Sequence, residues 1–186
     1  MVRFIFIAVF VGFFVLNTLQ EKGFKARGLD TEGELPVAKW LFVLGKLSTL
    51  LCWLAAFAQA LGLKNLRIIV VPPGFEAAAA GLFAGGFAVL WLAYRHLGDA
   101  NTRGLPQAGT QLRTSGVYAY SRNPLYLGLY LMTAGAVIYS GCAVVLAFGI
   151  AAVTAHHRIV LSEEKFLLAR FGRAYEEYKA RTRRYI

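Results

Sequence analysis

Residues 125-LYLGLYLMTAGAVIYSGCAVVLAFGIAAVTAHHRI-159 decide the fold. The stretch is almost wholly apolar and carries no full charge before Arg158. As one helix, at 1.5 Å per residue, it would extend about 52 Å, against a hydrocarbon core of about 30 Å. Two helices of about 26 Å each fit with modest accommodation. The natural break is Tyr139-Ser140-Gly141-Cys142. The stretch is therefore predicted to form a tight helical hairpin, two spans whose outer ends lie on the same side of a membrane.

The rest of the chain suits that solvent. Of 186 residues, 58% are hydrophobic and only 16% charged, and the mean hydropathy is +0.53. A soluble domain carries about 45–50% apolar and about 25% charged residues. Upstream, apolar runs predict spans at Val2–Leu19, Trp40–Leu63 and Phe75–Leu97. Arg3 and the run after it resemble a secretory leader, but no small-x-small cleavage site follows, so a retained span is expected. Gln20–Lys39 reads as a loop, and Pro72-Pro73-Gly74 as a helix stop. Lys46 sits near a span end, close enough to snorkel. The small residues Ala84-Gly85-Gly86 suit close helix packing. Ser162–Arg184 is charged and amphipathic, and is expected to leave the membrane as a surface helix. The fold class is all-α: a polytopic membrane protein of five spans and one domain over 1–186, with three spans in 1–97 and a loop, hairpin and C-terminal helix in 98–186.

The net charge of +10 raises the question of nucleic acid. Its distribution points elsewhere. With five spans, Lys22, Lys25, Arg27, Lys39, Arg95, Arg103, Arg113, Arg122 and the tail fall on one side; Arg3, Lys64 and Arg67 fall on the other. The positive-inside rule then puts the C-terminus in the cytoplasm and the N-terminus outside. Anionic lipid headgroups, not nucleic acid, are the expected partners of the basic tail. Cys52 and Cys142 lie in apolar runs without metal-ligand spacing, and no zinc motif, Walker loop or Rossmann glycine pattern is present. Trp40, Trp53 and Trp91 are expected to serve packing or the interface.

The hairpin brings distant residues together. Arg122-Asn123-Pro124 precedes its first helix, and Arg158 and Glu163-Glu164 follow its second, so all meet at one mouth. A cluster of both charge signs on an apolar scaffold is a site candidate. Arg158 is a candidate for orienting an acidic or phosphate-bearing substrate. His156 and His157 neighbour it, and His157 would assist if it faces the pocket; successive helix residues point about 100° apart, so not all three can.

The segment Gly116-Val-Tyr118-Ala-Tyr120-Ser-Arg122-Asn123-Pro124-Leu-Tyr126-Leu-Gly128, followed by Glu163-Glu164, Phe171-Gly172, Tyr175, Tyr178 and a basic end, resembles the isoprenylcysteine carboxyl methyltransferase and phospholipid methyltransferase superfamily. The resemblance covers about Leu112 to Arg184. It departs at Asn123, where the family has His; Asn keeps a donor and an acceptor but cannot carry charge. The resemblance implies an S-adenosylmethionine-dependent membrane methyltransferase with a lipophilic acceptor, isoprenylcysteine carboxylate-like or phospholipid amine-like. It implies a cofactor pocket of Tyr118, Tyr120, Arg122, Asn123, Pro124, Tyr126, Gly128, Glu163 and Glu164. On that reading Arg122 clamps the cofactor carboxylate, and Glu163 or Glu164 accepts from its ammonium or ribose hydroxyls, with Glu163 counted as catalytic alongside Arg158. Gly128 would let the cofactor approach the helix. Two alternatives stand beside it: an NADPH-dependent reductase of the sterol reductase type, and a non-catalytic membrane protein.

Overall fold

The computed structural model describes residues 1–26, 35–63, 67–97 and 111–186. Among the described residues six α-helices follow in order: α1 (Val2–Ala26), α2 (Lys39–Ala60), α3 (Pro73–Leu97), α4 (Pro124–Ser140), α5 (Ala143–Phe171) and α6 (Arg173–Arg181), with a 3-10 turn, Gly116–Ala119, before α4. The protein is an all-helical polytopic membrane protein. Helices α1, α2, α3 and α5 are long and apolar enough to cross a membrane, and α4 is a shorter apolar helix of 17 residues, at the lower end of what spans. The apolar surface is turned outward as well as inward: Val11, Leu50 and Ile150 are exposed, as a lipid-facing surface requires.

The hairpin is present. Gly141 adopts the left-handed conformation (φ 56°) that ends α4, and α5 starts two residues later. Glycine reaches that region without the Cβ penalty. The Gly141 carbonyl accepts from the Ile68 and Ile69 amides at 3.0 and 3.1 Å, which ties the α2–α3 connection to the turn. The arms of the hairpin find different principal partners: α4 packs on α3, and α5 on α2.

The α3–α4 seam is built by glycine. A Cβ on Gly86 would lie 2.7 Å from the Gly128 carbonyl oxygen, and one on Gly128 would lie 2.7 Å from the Gly86 carbonyl oxygen. The two backbones touch there, which only small residues permit. The packing role expected of the Ala84–Gly86 cluster therefore holds at Gly86. The membrane-embedded core is aromatic: Phe6 stacks on Tyr139 at 4.0 Å between centroids, and Trp53 meets Phe83 edge-on at 6.1 Å. The buried Trp53 indole donates to the Thr133 hydroxyl at 3.2 Å, while Trp40 is exposed. Cys52 is buried beside the Val145 carbonyl.

Three boundaries differ from expectation. Pro73 and Gly74 open α3 instead of stopping a helix. Proline lacks an amide that the first helical turn leaves unpaired anyway, and its fixed φ suits that position. Helix α1 continues past Leu19 to Ala26, so the first part of the loop expected from Gln20 is helical. Ser162–Arg184 is not one separate helix: its first half continues α5, and the separate C-terminal helix, α6, is Arg173–Arg181. α5 runs without interruption through Glu163 and Glu164 to Phe171, and Gly172 (φ 49°) ends it. Polar side chains mark where a helix can leave the bilayer; they do not break its backbone. Residues 98–110, most of the loop expected before the hairpin, lie outside the described residues, as do 27–34 and 64–66.

Candidate active site

Between the 3-10 turn and α2–α6 lies a cavity of about 290 Å³, at the small end of the roughly 300–1,000 Å³ range of small-molecule sites. Its wall is mostly apolar, with Leu90, Leu129, Ile159 and Leu167 among the lining residues. Polar groups converge on it from several elements. Tyr118 comes from the 3-10 turn, Arg122 and Asn123 from the segment before α4, Tyr126 from α4, His156 and Glu163 from α5, and Lys46 from α2.

Local structure explains how the segment before α4 reaches the cavity. Pro124 is the first residue of α4, and Asn123 before it is non-helical (φ −131°, ψ 54°), since proline disfavours the α region in the residue it follows. Ser121 Oγ accepts from the Asn123 amide at 3.2 Å. The C-terminal tail then returns alongside: the Arg122 amide donates to the Arg183 carbonyl at 2.9 Å, and Asn123 Nδ2 to the Arg184 carbonyl at 3.3 Å.

The two adjacent glutamates have separate environments. Glu164 is buried, and its carboxylate accepts from Arg122 Nε and Nη2 (3.2 and 3.0 Å), Asn123 Nδ2 (3.0 Å), and Arg184 Nε and Nη2 (3.1 and 2.9 Å). A carboxylate offers about four lone-pair sites, so Glu164 is saturated. Arg122 also donates through Nη1 to the carbonyls of Thr182 and Lys179. Its bidentate fork is directed at Glu164, so it is not the free clamp for a ligand carboxylate that the sequence suggested. The hydrogen bond to Glu164 raises Arg184 above the ordinary guanidinium value. Glu163, by contrast, lines the cavity and accepts one hydrogen bond, from the Tyr126 hydroxyl at 2.7 Å.

Of the residues singled out by sequence, the cavity gathers Tyr118, Arg122, Asn123, Pro124, Tyr126 and Glu163. It does not gather the other four. Tyr120 is 83% exposed. Gly128 faces α3, where the Gly86 backbone occupies the space a ligand would need. Glu164 is turned to Arg122 and Arg184. Arg158 is exposed and does not line the cavity, because it lies on a third face of α5. His157 also points away, with Nδ1 2.8 Å from the Tyr185 hydroxyl.

Sequence reasoning missed His156 and Lys46 as cavity residues. The signal for His156 was present: it stands seven residues before Glu163, nearly two full helical turns, and so shares its face. Tyr175 and Tyr178 of α6 complete the wall. The Tyr178 hydroxyl donates to the Tyr118 carbonyl at 2.6 Å, and burial pushes the Tyr175 phenol up to about 12. Burial also holds the Tyr118 phenol well above its ordinary value, so it stays protonated. Its hydroxyl is buried with no hydrogen-bond partner among the described residues. Buried polar groups are rarely left so, and this one, in a cavity wall, is placed for a ligand acceptor.

No curated protein matches the chain. A family model does: that of the phospholipid methyltransferases matches residues 75–174. The match takes in nearly all of α3, the Tyr118–Tyr126 segment, the hairpin with both glutamates, and the start of α6. It covers more than half of the sequence and every residue of the cavity wall except those of α2 and of α6. The chain thus belongs to the phospholipid methyltransferase family, within the superfamily of isoprenylcysteine and phospholipid membrane methyltransferases.

Proposed function

We propose that this membrane protein transfers a methyl group from S-adenosylmethionine to a lipophilic acceptor, with the whole chain acting as one domain. The observation that carries the reading is the cavity itself, where the Arg122–Tyr126 segment and Glu163 meet within a mostly apolar wall. The residues fit the donor's groups. Glu163 has acceptor capacity left for an ammonium or for ribose hydroxyls. The unpartnered Tyr118 hydroxyl can donate. Tyr126 and Tyr94 offer ring faces, which suit adenine or a sulfonium cation. Arg113 lines the cavity and is exposed, so it can reach a carboxylate. When bound, the sulfonium supplies an already activated methyl group. The chain's own task is then positioning and electrostatics. Arg122, Asn123 and Glu164 fix the wall from behind, and Pro124 begins α4 at the cavity edge.

The acceptor is a lipid amine or a lipidated carboxylate that enters sideways from the bilayer, its chain lying against Leu90, Leu129 and Leu167. The cavity faces the cytoplasm, where the donor is made, and the N-terminus lies outside. Arg173, Lys179 and Arg181 of α6 are exposed and rest on anionic headgroups. The test is radiolabelled methyl transfer from S-adenosylmethionine into a total lipid extract. Label in a lipid product is the expected result. Purified protein that neither binds the donor nor labels any lipid would end this reading.

A further inference from the structure

His156 lines the cavity, and one nitrogen of its ring has no hydrogen-bond partner among the described residues. It lies 6% exposed on α5, beside Tyr126, with ring centroids 5.8 Å apart. Its Nδ1 is 2.8 Å from the Ala152 carbonyl. A carbonyl only accepts, so in the neutral ring Nδ1 carries the hydrogen and Nε2 keeps its lone pair. The Nε2 edge lies against Gly45 of α2, where a Cβ would sit 3.4 Å from Nε2 and 3.3 Å from Cε1. The missing side chain makes room for that edge. Nε2 hydrogen-bonds no described residue.

The groups around it have other work. Lys46 of α2 is a cation whose ammonium stands over the Phe42 ring at 4.2 Å. Tyr126 of α4 donates its hydroxyl to Glu163. Tyr94 of α3 directs its hydroxyl to Asn17 at 3.5 Å. Glu163, two turns further along α5, takes the Tyr126 hydrogen bond.

We propose that His156 Nε2 is the proton acceptor for the attacking group of the methyl acceptor, and that this group is an amine, which at neutral pH arrives as an ammonium. The inference rests on the methyl-transfer reading above. The ammonium passes one proton to Nε2. The freed nitrogen lone pair forms the new N–C bond while the C–S bond of the methyl sulfonium breaks, and that electron pair stays on sulfur. The imidazolium then returns its proton to water. A carboxylate acceptor is already deprotonated and would need no such base. General-base assistance of this kind contributes about 10²–10⁴-fold.

The experiment uses the full-length protein with radiolabelled S-adenosylmethionine and a total lipid extract in mixed micelles. Wild type, His156→Gln and His156→Asn are compared between pH 6 and 9, and donor affinity is measured by calorimetry on the same preparations. The expected result is a base-stable N-methyl product and donor affinity within about threefold of wild type in at least one variant. In that variant the rate at pH 7 falls at least about 100-fold, and the deficit shrinks as pH rises towards the ammonium's own titration. A rate within threefold of wild type, a deficit equal at every pH, loss of donor affinity in both variants, or a base-labile methyl ester product would overturn the assignment. Wild-type protein that binds no donor, or binds it and methylates no lipid, would overturn the underlying reading as well.

Discussion

On one face of α5, His156, Ile159, Glu163 and Leu167 line the cavity; on the next face round, His157 and Glu164 meet the C-terminal tail. Seven residues turn an α-helix by about 700°, only about 20° short of two turns. Each histidine therefore shares a face with the glutamate seven places on. The residue types match, yet the outcomes differ because the neighbours differ. Towards the tail, two arginines and an asparagine saturate the carboxylate and hold residues 182–184 against the segment before α4. Towards the cavity, the carboxylate has one tyrosine hydroxyl and spare acceptor sites. The tail face is saturated by partners within the chain, and the cavity face keeps acceptor capacity. A third face, with Arg158 and Lys165, is exposed.

The largest effect should come from breaking the tail face. Glu164→Ala leaves the largely buried Arg122, and Arg184 with it, without a counter-charge. Removing one partner of a buried pair costs about 3–5 kcal/mol. Thermal unfolding in detergent should show that loss, and protease should cut the C-terminal tail faster. Stability equal to wild type would remove the distinction between the faces. Next is Gly128→Ala, which places a Cβ 2.7 Å from the Gly86 carbonyl. Overpacking of this kind costs about 1–3 kcal/mol. Donor affinity in the folded fraction should stay unchanged; weakened binding at unchanged stability would return Gly128 to the cofactor site. The smallest effect belongs to the exposed face. Arg158→Ala should stay within about 0.5 kcal/mol of wild-type stability and leave donor affinity as it was. A large loss of methyl transfer in that variant would restore Arg158 as a substrate-orienting residue.

The sequence made the bilayer-scale features legible because they depend on length and local chemistry. Leu125–Ile159 is too long for one span, and Gly141 is where its backbone turns. The end of α5 was harder to read. Ser162-Glu163-Glu164 looks like an exit from the membrane, but polarity is no backbone signal; Gly172 was the residue to weigh. The two glutamates looked equivalent in a motif, and only the helical period, with His156 and His157 as guides, separates them. Gly128 was read as a ligand contact and stands against α3, because a ligand and a neighbouring helix ask the same thing of a glycine. The candidate partner, Gly86, was visible as part of a packing cluster but not as its mate. The tail's return to Arg122 rests largely on backbone carbonyls of residues 179–184, and every residue type offers a carbonyl.

The central claim is that Glu163, not Glu164, faces the ligand. Calorimetric titration of S-adenosylmethionine into wild-type and Glu163→Gln protein tests it most directly. Glutamine keeps an oxygen for Tyr126 but loses the charge, and a hydrogen bond to a charged group contributes about 1.5–3 kcal/mol. Affinity should fall about 10- to 150-fold with the unfolding midpoint unchanged; affinity equal to wild type would contradict the account.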